Sequence, residues 1–173
     1  MKQGQTLGSG ISPNGRANLS NEDRGLRPPC QAACPIHQDV RGYLAHISQG
    51  EFHEALRVIK ETNPLPFVCG TICAHPCETQ CRREQVDQSL SICSLKRFAT
   101  EFGGEVPRAR NEVKRAEKVA IIGSGPAGLT AAHDLAKLGY GVTIFERESL
   151  PGGALRNYLP SYRLPRQVLD KDI

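Results

Sequence analysis

The stretch Cys69-Gly-Thr-Ile-Cys73-Ala-His-Pro-Cys77-Glu-Thr-Gln-Cys81 decides how the first half of this chain is read, because four cysteines recur there at intervals of four residues. Soft thiolates at that density point to a metal centre. An interval of four also puts side chains on one helical face, but Gly70 and Pro76 argue against an unbroken helix across the run. Structural zinc pairs usually come as C-x2-C or as a Cys/His mixture, whereas every short spacing here is C-x3-C. Disulfides fit poorly with seven cysteines, an odd number, behind no secretory signal. An iron–sulfur site meets none of these objections.

Upstream lies Cys30-Gln-Ala-Ala-Cys34-Pro35, and a cysteine followed by proline suits an iron–sulfur loop that must leave a helix and turn. Between the cysteine groups the pattern predicts two short helices. Asp39 can cap the first, which carries Val40, Tyr43, Leu44 and Ile47 and closes at Gly50. The second runs from Glu51 to Thr62 with Phe52, Ala55, Leu56 and Ile59 on one face. Asn63-Pro64-Leu65-Pro66 then delivers the chain, extended, into the cysteine run. His37, His46 and His53 read as ordinary surface or packed residues, and His75 as a hydrogen-bonding neighbour of a cluster sulfur. After Cys81, Leu90 to Phe102 reads as a helix offering Leu90, Cys93, Leu95, Phe98 and Phe102 to its buried side. Cys93 is either a ligand or a small apolar side chain.

The first 28 residues are rich in Gly, Ser, Asn and Pro without apolar periodicity, which predicts an extended or mobile arm. Asn14-Gly15 has no alternating strands beside it to make a hairpin. Residues 104–117, with Arg108, Arg110, Lys114 and Arg115, read as a solvated linker.

The second piece opens with Lys118-Val-Ala-Ile-Ile122, a continuous apolar run that fits a buried parallel strand, followed at once by Gly123-Ser-Gly125-Pro126-Ala127-Gly128. Leu129 to Leu138 has helical spacing and ends at Gly139, and Gly141 to Glu146 reads as a second strand. That is the strand, turn, helix, strand context in which a GxGxxG binds a dinucleotide. The first glycine permits the tight turn, the second lets a pyrophosphate approach the backbone, and the third lets helix and strand pack closely. Glu146 lies 23 residues after Gly123, where a carboxylate accepts from a ribose 2′-hydroxyl, which favours FAD or NAD over NADP.

The expected architecture is therefore α plus α/β: an arm (1–28), a small all-α iron–sulfur domain (29–103), a linker (104–117) and the first βαβ unit of a Rossmann-type FAD-binding domain (118–173), apparently incomplete. Hydrophobic content of 39% with 5% aromatics and no Trp is modest for a core, so a small cysteine-rich piece would lean on inorganic cross-links. Lys plus Arg exceed Asp plus Glu by only 22 to 18, too little to argue for nucleic acid. No apolar run approaches the ~20 residues of a membrane span, and the chain reads as soluble and cytoplasmic.

The motifs PPCQAACP, CGTICAHPCETQC, SLKRF, GSGPAG, FER and PGGALRNYLPSYRLP, in this order over about residues 28–173, resemble the N-terminal part of the glutamate synthase small subunit and of dihydropyrimidine dehydrogenase. The resemblance implies two [4Fe-4S] clusters in the helical domain and an FAD domain that exchanges electrons with NAD(P)H. It matches Cys30 and Cys34 to the closing pair of the family's first cysteine motif, and Cys73, Cys77 and Cys81 to its second. Gly123, Gly125, Gly128 and Glu146 match the FAD motif, with Pro126, Ala127 and Arg147 inside the matching segments. Gly152-Gly153 resembles the family's glycine pair near the flavin. The family's additional C-x2-C before the position of Cys30 is missing, and Cys69 and Cys93 are the available replacements. The remaining strands and a nicotinamide-binding domain would have to come from a longer chain or from a partner redox subunit. The function implied is an electron-transfer module between NAD(P)H-linked FAD and the clusters. A docking or assembly subunit stapled by clusters, and a zinc-stabilised NAD-binding protein, are the alternatives.

Overall fold

The computed structural model describes residues 27–106 and 112–173. The expected arm, Asn14-Gly15, Arg108 and Arg110 lie outside the described residues. The first part is helical: α1 (Pro29–Ala33), α2 (Val40–Ser48), α3 (Phe52–Thr62), α4 (Pro66–Ile72), a 3-10 turn (Arg82–Gln85) and α5 (Ile92–Phe102). The second contains β1 (Lys118–Ile122), α6 (Pro126–Lys137), β2 (Gly141–Phe145), α7 (Ala154–Asn157) and α8 (Arg166–Asp170).

Asp39 caps α2 as its residue type predicts, its side chain accepting from the Gly42 N–H at 3.0 Å. Gly50 ends the same helix with φ +78. Val40 and Tyr43 of α2 and Ala55, Val58 and Ile59 of α3 pack with Ile92 and Ala99 of α5 in one buried cluster that includes Cys77, with Cys30 against its edge. Phe98 sets its ring edge-on to Phe52 at 5.1 Å, which fastens α5 to α3.

Two expectations change. The chain does not enter the cysteine run extended: Pro66 takes the first position of α4, where its fixed φ and missing N–H suit a helix start. Gly70 sits inside that helix because α5 crosses it closely, and a Cβ there would come within 3.1 Å of the Arg97 Cα. The buried face of α5 also differs, since Leu90 and Phe102 are exposed while Ile92, Lys96, Ala99 and Thr100 are buried.

β1 and β2 pair in parallel, Val119 with Val142 and Ile122 with Phe145, as the only sheet among the described residues. α6 lies against both strands. The continuous apolar run of β1 suggested burial on both faces, yet Ile122 and Phe145 stand on an open face. A second apolar cluster joins the two parts: Leu65 and Val68 around the start of α4 pack with Leu155, Leu164 and Leu169 of the C-terminal segment, and Leu129 of α6 lies against them.

Candidate functional site

The four cysteines of the central run occupy different kinds of backbone. Cys69 is within α4, Cys73 ends it with extended dihedrals, Cys77 lies in the following turn, and Cys81 precedes the 3-10 turn. Pro76 prevents continuation of the helix, and His75 before it takes a positive φ of 43°. That bend aims the His75 N–H at the Cys73 sulfur, 3.3 Å away. Cys30 is on α1 and Cys34 closes that helix.

All seven cysteines are unpaired. Burial pushes the Cys77 thiol up to about 11, and the neighbouring Cys34 and Cys73 add to the rise. Burial likewise raises Cys30, with Cys81 close enough to contribute. Tyr43, beneath them, is pushed up by burial and then by Cys77, Cys34, Cys93 and Cys30. Cys69 and Cys93 are also raised by burial, and each has Cys73 as a neighbour. The Cys93 sulfur lies 3.8 Å from the carbonyl oxygens of Cys69 and Gly70. The structure thus gathers all seven sequence-predicted cysteines along one edge of the helical core, with Cys73 adjoining both Cys77 and the Cys69–Cys93 side. Among the described residues no three His, Cys, Asp or Glu side chains converge on a point that one ion could occupy. Zinc asks for four donors about 2.0–2.3 Å from a single point. A cubane, each of whose irons takes its own thiolate, asks for a wider set.

The helices that carry the cysteines are capped from a distance. Neither Leu65 nor Ser91, the residues before α4 and α5, supplies a side-chain cap. Instead the Asp172 carboxylate accepts from the Phe67 and Val68 N–H groups at 3.2 and 2.7 Å. Glu78 accepts from the Cys93 N–H at 2.7 Å and stands 3.2 Å from His75. Both free helix N-termini thereby receive a carboxylate. No local motif announces either cap. Burial raises the Asp172 carboxyl to about 6, against the lowering effect of those two N–H groups.

In the second part, Gly123 takes φ +95, closed to most side chains, and a Cβ on Gly128 would overlap the Gly123 carbonyl. Gly125, by contrast, has nothing within 4 Å of its Cβ position. That open cradle precedes α6, whose N-terminus has no side-chain cap and begins with exposed Pro126 and Ala127. A pyrophosphate fits such a place. The Gly152-Gly153 loop comes against it: Gly153 has φ +50, and a Cβ there would be 2.8 Å from the Gly125 Cα.

Ser124, which the sequence reading passed over as the variable residue of the glycine motif, joins these parts. It is 2% exposed. Its N–H and hydroxyl donate to Glu146 Oε2 at 2.8 and 2.5 Å, while its carbonyl and Oγ both accept from the Gly152 N–H at 3.1 Å. Glu146 Oε1 accepts from the Glu148 N–H at 3.0 Å. That bond, the Ser124 hydroxyl and the Ser124 N–H hold the Glu146 carboxyl down to about 2. Arg147 points away and pairs with Glu148 at 3.0 Å, its side chain 92% exposed.

Residues 24–106 match the family model described as dihydropyrimidine dehydrogenase domain II, 4Fe-4S cluster. The helical part belongs to that domain family. Residues 121–171 match the NAD(P)-binding Rossmann-like domain. Similar full-length proteins include NADPH-Fe(3+) oxidoreductase subunit beta of Geobacter sulfurreducens, 43% identical over 84% of this chain and 22% of the relative. NADP(+)-dependent formate dehydrogenase subunit beta of Moorella thermoacetica is 41% identical over 84% of this chain and 24% of its own length. NAD-dependent dihydropyrimidine dehydrogenase subunit PreT of Escherichia coli is 42% identical over 84% of this chain and 36% of its own length. The chain thus spans about a quarter to a third of these relatives. A 4Fe-4S domain followed by a Rossmann-like unit is what the sequence reading expected. No helix among the described residues is long and apolar enough to cross a membrane.

Proposed function

We propose that this chain is the electron-transfer segment of an iron–sulfur flavoprotein oxidoreductase, in which the cysteine edge holds two [4Fe-4S] clusters and the two glycine loops hold FAD. The observation that carries the reading is the apolar cluster of Leu65, Val68, Leu155, Leu164 and Leu169, which sets the cysteine-bearing helix and the Gly152-Gly153 loop on one support. Electron transfer needs its centres held at fixed separation, and a shared core does that.

Within this reading Cys30, Cys34, Cys77 and Cys81 form one ligand group around Tyr43, and Cys69, Cys73 and Cys93 form the other with one ligand that is not cysteine. The neighbour relations among their thiols support this division. Gly123, Gly125, Pro126, Ala127 and Gly128 would receive the pyrophosphate, Glu146 the adenosine ribose, and Gly152-Gly153 would bound the flavin side, with Arg147 at the rim. When bound, the clusters supply one-electron steps and the flavin two-electron hydride chemistry. The chain's own part is to orient the thiolates, exclude water behind Tyr43 and Ile59, and hold the dinucleotide against a free helix N-terminus. NAD(P)H and a further redox subunit, or the rest of a longer flavoprotein, would supply and take the electrons, as the names of the relatives suggest for them. The domain division of the sequence reading, 29–103 and 118–173, is retained as part of this proposal.

Anaerobic reconstitution followed by iron and sulfide analysis tests it, with about eight irons per chain expected for two clusters. About four would reduce the assignment to a single cluster. Redox titration by electron paramagnetic resonance should then show the clusters changing oxidation state on reduction. Clusters that stay inert would transfer the assignment to a docking or assembly subunit.

A further inference from the structure

The side of the cysteine edge formed by Cys69 and Cys93 is lined by two groups that no local pattern explains. Asn63, the residue that ends α3, is buried, and its Oδ1 accepts from the Leu65 N–H at 3.1 Å. That bond fixes which way the amide faces. Its Nδ2 then has no nitrogen or oxygen partner among the described residues, and the polar group it meets is the Cys69 thiol, whose proton it helps to release. A thiol is a weak acceptor, so a buried amide spent on one is costly. A negatively charged sulfur accepts it well.

The second group is Lys96, on the buried face of α5 with Ile92, Ala99 and Thr100 and only 9% exposed. Lysine is almost never so buried unless paired. The helix does not force it inward, since Arg97 beside it is exposed and pairs with Glu101 at 2.8 Å. Among the described residues Lys96 itself makes no ion pair. What its ammonium faces is sulfur: it lowers the Cys69, Cys77 and Cys93 thiols against the rise that burial imposes. Asp172 is the carboxylate on this side, and it is engaged with the Phe67 and Val68 N–H groups.

We infer that Asn63 and Lys96 are positioning residues that raise the reduction potential of the cluster on Cys69, Cys73 and Cys93 above that of the cluster on Cys30, Cys34, Cys77 and Cys81. This rests on the two-cluster reading above. Reduction adds one electron, and so one negative charge, to a cluster and its sulfurs. A fixed cation and an N–H donor against those sulfurs stabilise the reduced form more than the oxidised one. Neither group faces Cys30, Cys34 or Cys81, so the effect is confined to one side.

The test is a potentiometric titration, followed by electron paramagnetic resonance, of the reconstituted full chain and of its Lys96→Met, Lys96→Arg and Asn63→Asp variants. Iron is counted in each. Lys96→Met should lower the reduced-to-oxidised ratio of one cluster about tenfold at a fixed poise, which is about 59 mV for a one-electron couple. The other cluster should stay in place, and Lys96→Arg should retain the wild-type value. Asn63→Asp keeps the acceptor for Leu65 but replaces the donor with a negative charge, and should lower the same cluster further. It also serves if Lys96→Met fails to fold. Fully loaded variants with unchanged potentials, or equal shifts of both clusters, overturn the inference while leaving the cluster assignment intact. A wild-type chain that loads no iron overturns both.

Discussion

In the helical part Leu56, Ile59 and Ala99 are wholly buried and Tyr43 is 1% exposed, whereas in the two-stranded part Ile122 is 84% and Phe145 56% exposed. The difference teaches how each part holds its site. The cysteines are presented by a core that is already closed, so their geometry rests on packing among α2, α3 and α5. The glycine loops rest on an open-faced sheet, and their shape is kept by hydrogen bonds that converge on Ser124. One site should therefore fail with its core, the other with single bonds.

The largest effect should come from Cys77, the cysteine that belongs to the helical core itself. Cys77→Ser should lose a cluster and about 4 kcal/mol of stability, the scale reached when a metal site is lost. Iron analysis and a thermal melt check this together. Full iron with an unchanged melt would remove Cys77 from the ligands and break the comparison on its helical side.

Next comes Asp172, where the two parts meet. Its folded carboxyl titrates at about 6, raised by burial, against about 3.9 for a free side chain. The folded state therefore holds this proton more tightly than the unfolded one. The stability it confers is fully present below about pH 4 and is lost as pH rises to about 6, by about 3 kcal/mol at most. Asp172→Asn cannot ionise and should lack this slope, so the wild-type and variant melting curves should diverge between those pH values. Parallel curves would show that the carboxylate gains as much from the Phe67 and Val68 N–H groups as burial costs it.

Gly153→Ala sharpens the comparison on the other side. With φ +50 and the Gly125 Cα in the way, the added methyl should cost about 2 kcal/mol and part the two glycine loops. Gly50→Ala is the control, because its φ is also positive but nothing lies within 4 Å of the new methyl. It should cost about 1 kcal/mol. Limited proteolysis should show the first change confined to the two-stranded part, and equal costs would remove the close contact as the cause.

What the sequence disclosed follows the reach of the forces involved. The Asp39 cap, the apolar faces of α2 and α3, the cysteine spacing and the glycine turn depend on residues within a few positions of one another, and all were legible. The start of α4 at Pro66 was not, because a proline after an extended dipeptide suits either a helix start or an extended entry. Gly70 read as a helix breaker, but its reason for being there is Arg97 on another helix. Lys96 looked like one more surface cation in a basic motif, and its burial depends on sulfurs reached through the fold. The carboxylates that cap α4 and α5 are far off in sequence from the N–H groups they serve, so capping rules applied locally find nothing. Ser124 was hidden in a motif read for its glycines alone.

The smallest effect, and the most specific, should be that of Glu146. Its carboxyl is held down to about 2, first by the Glu148 N–H and then by Ser124, so it is ionised at any ordinary pH. A depressed carboxyl adds stability above its unfolded value of about 4.3, and that stability is lost as pH falls through about 2. Oε2 already accepts both donors of Ser124, while Oε1 accepts only the Glu148 N–H. A carboxylate oxygen has two acceptor sites, so Oε1 is the atom with one to spare for a ribose hydroxyl. Glu146→Ala, made in a chain extended to the length of its relatives, should weaken FAD about tenfold, the worth of one hydrogen bond to a charged group. Glu146→Gln can keep an oxygen toward either Ser124 or the ribose, and should fall between. Because the wild-type group is charged throughout, the ratio of affinities should be flat from pH 5 to 8. Fluorescence titration with FAD measures it, and an unchanged affinity in the alanine variant would remove Glu146 from the ribose site and leave it only the task of bracing the Ser124 turn.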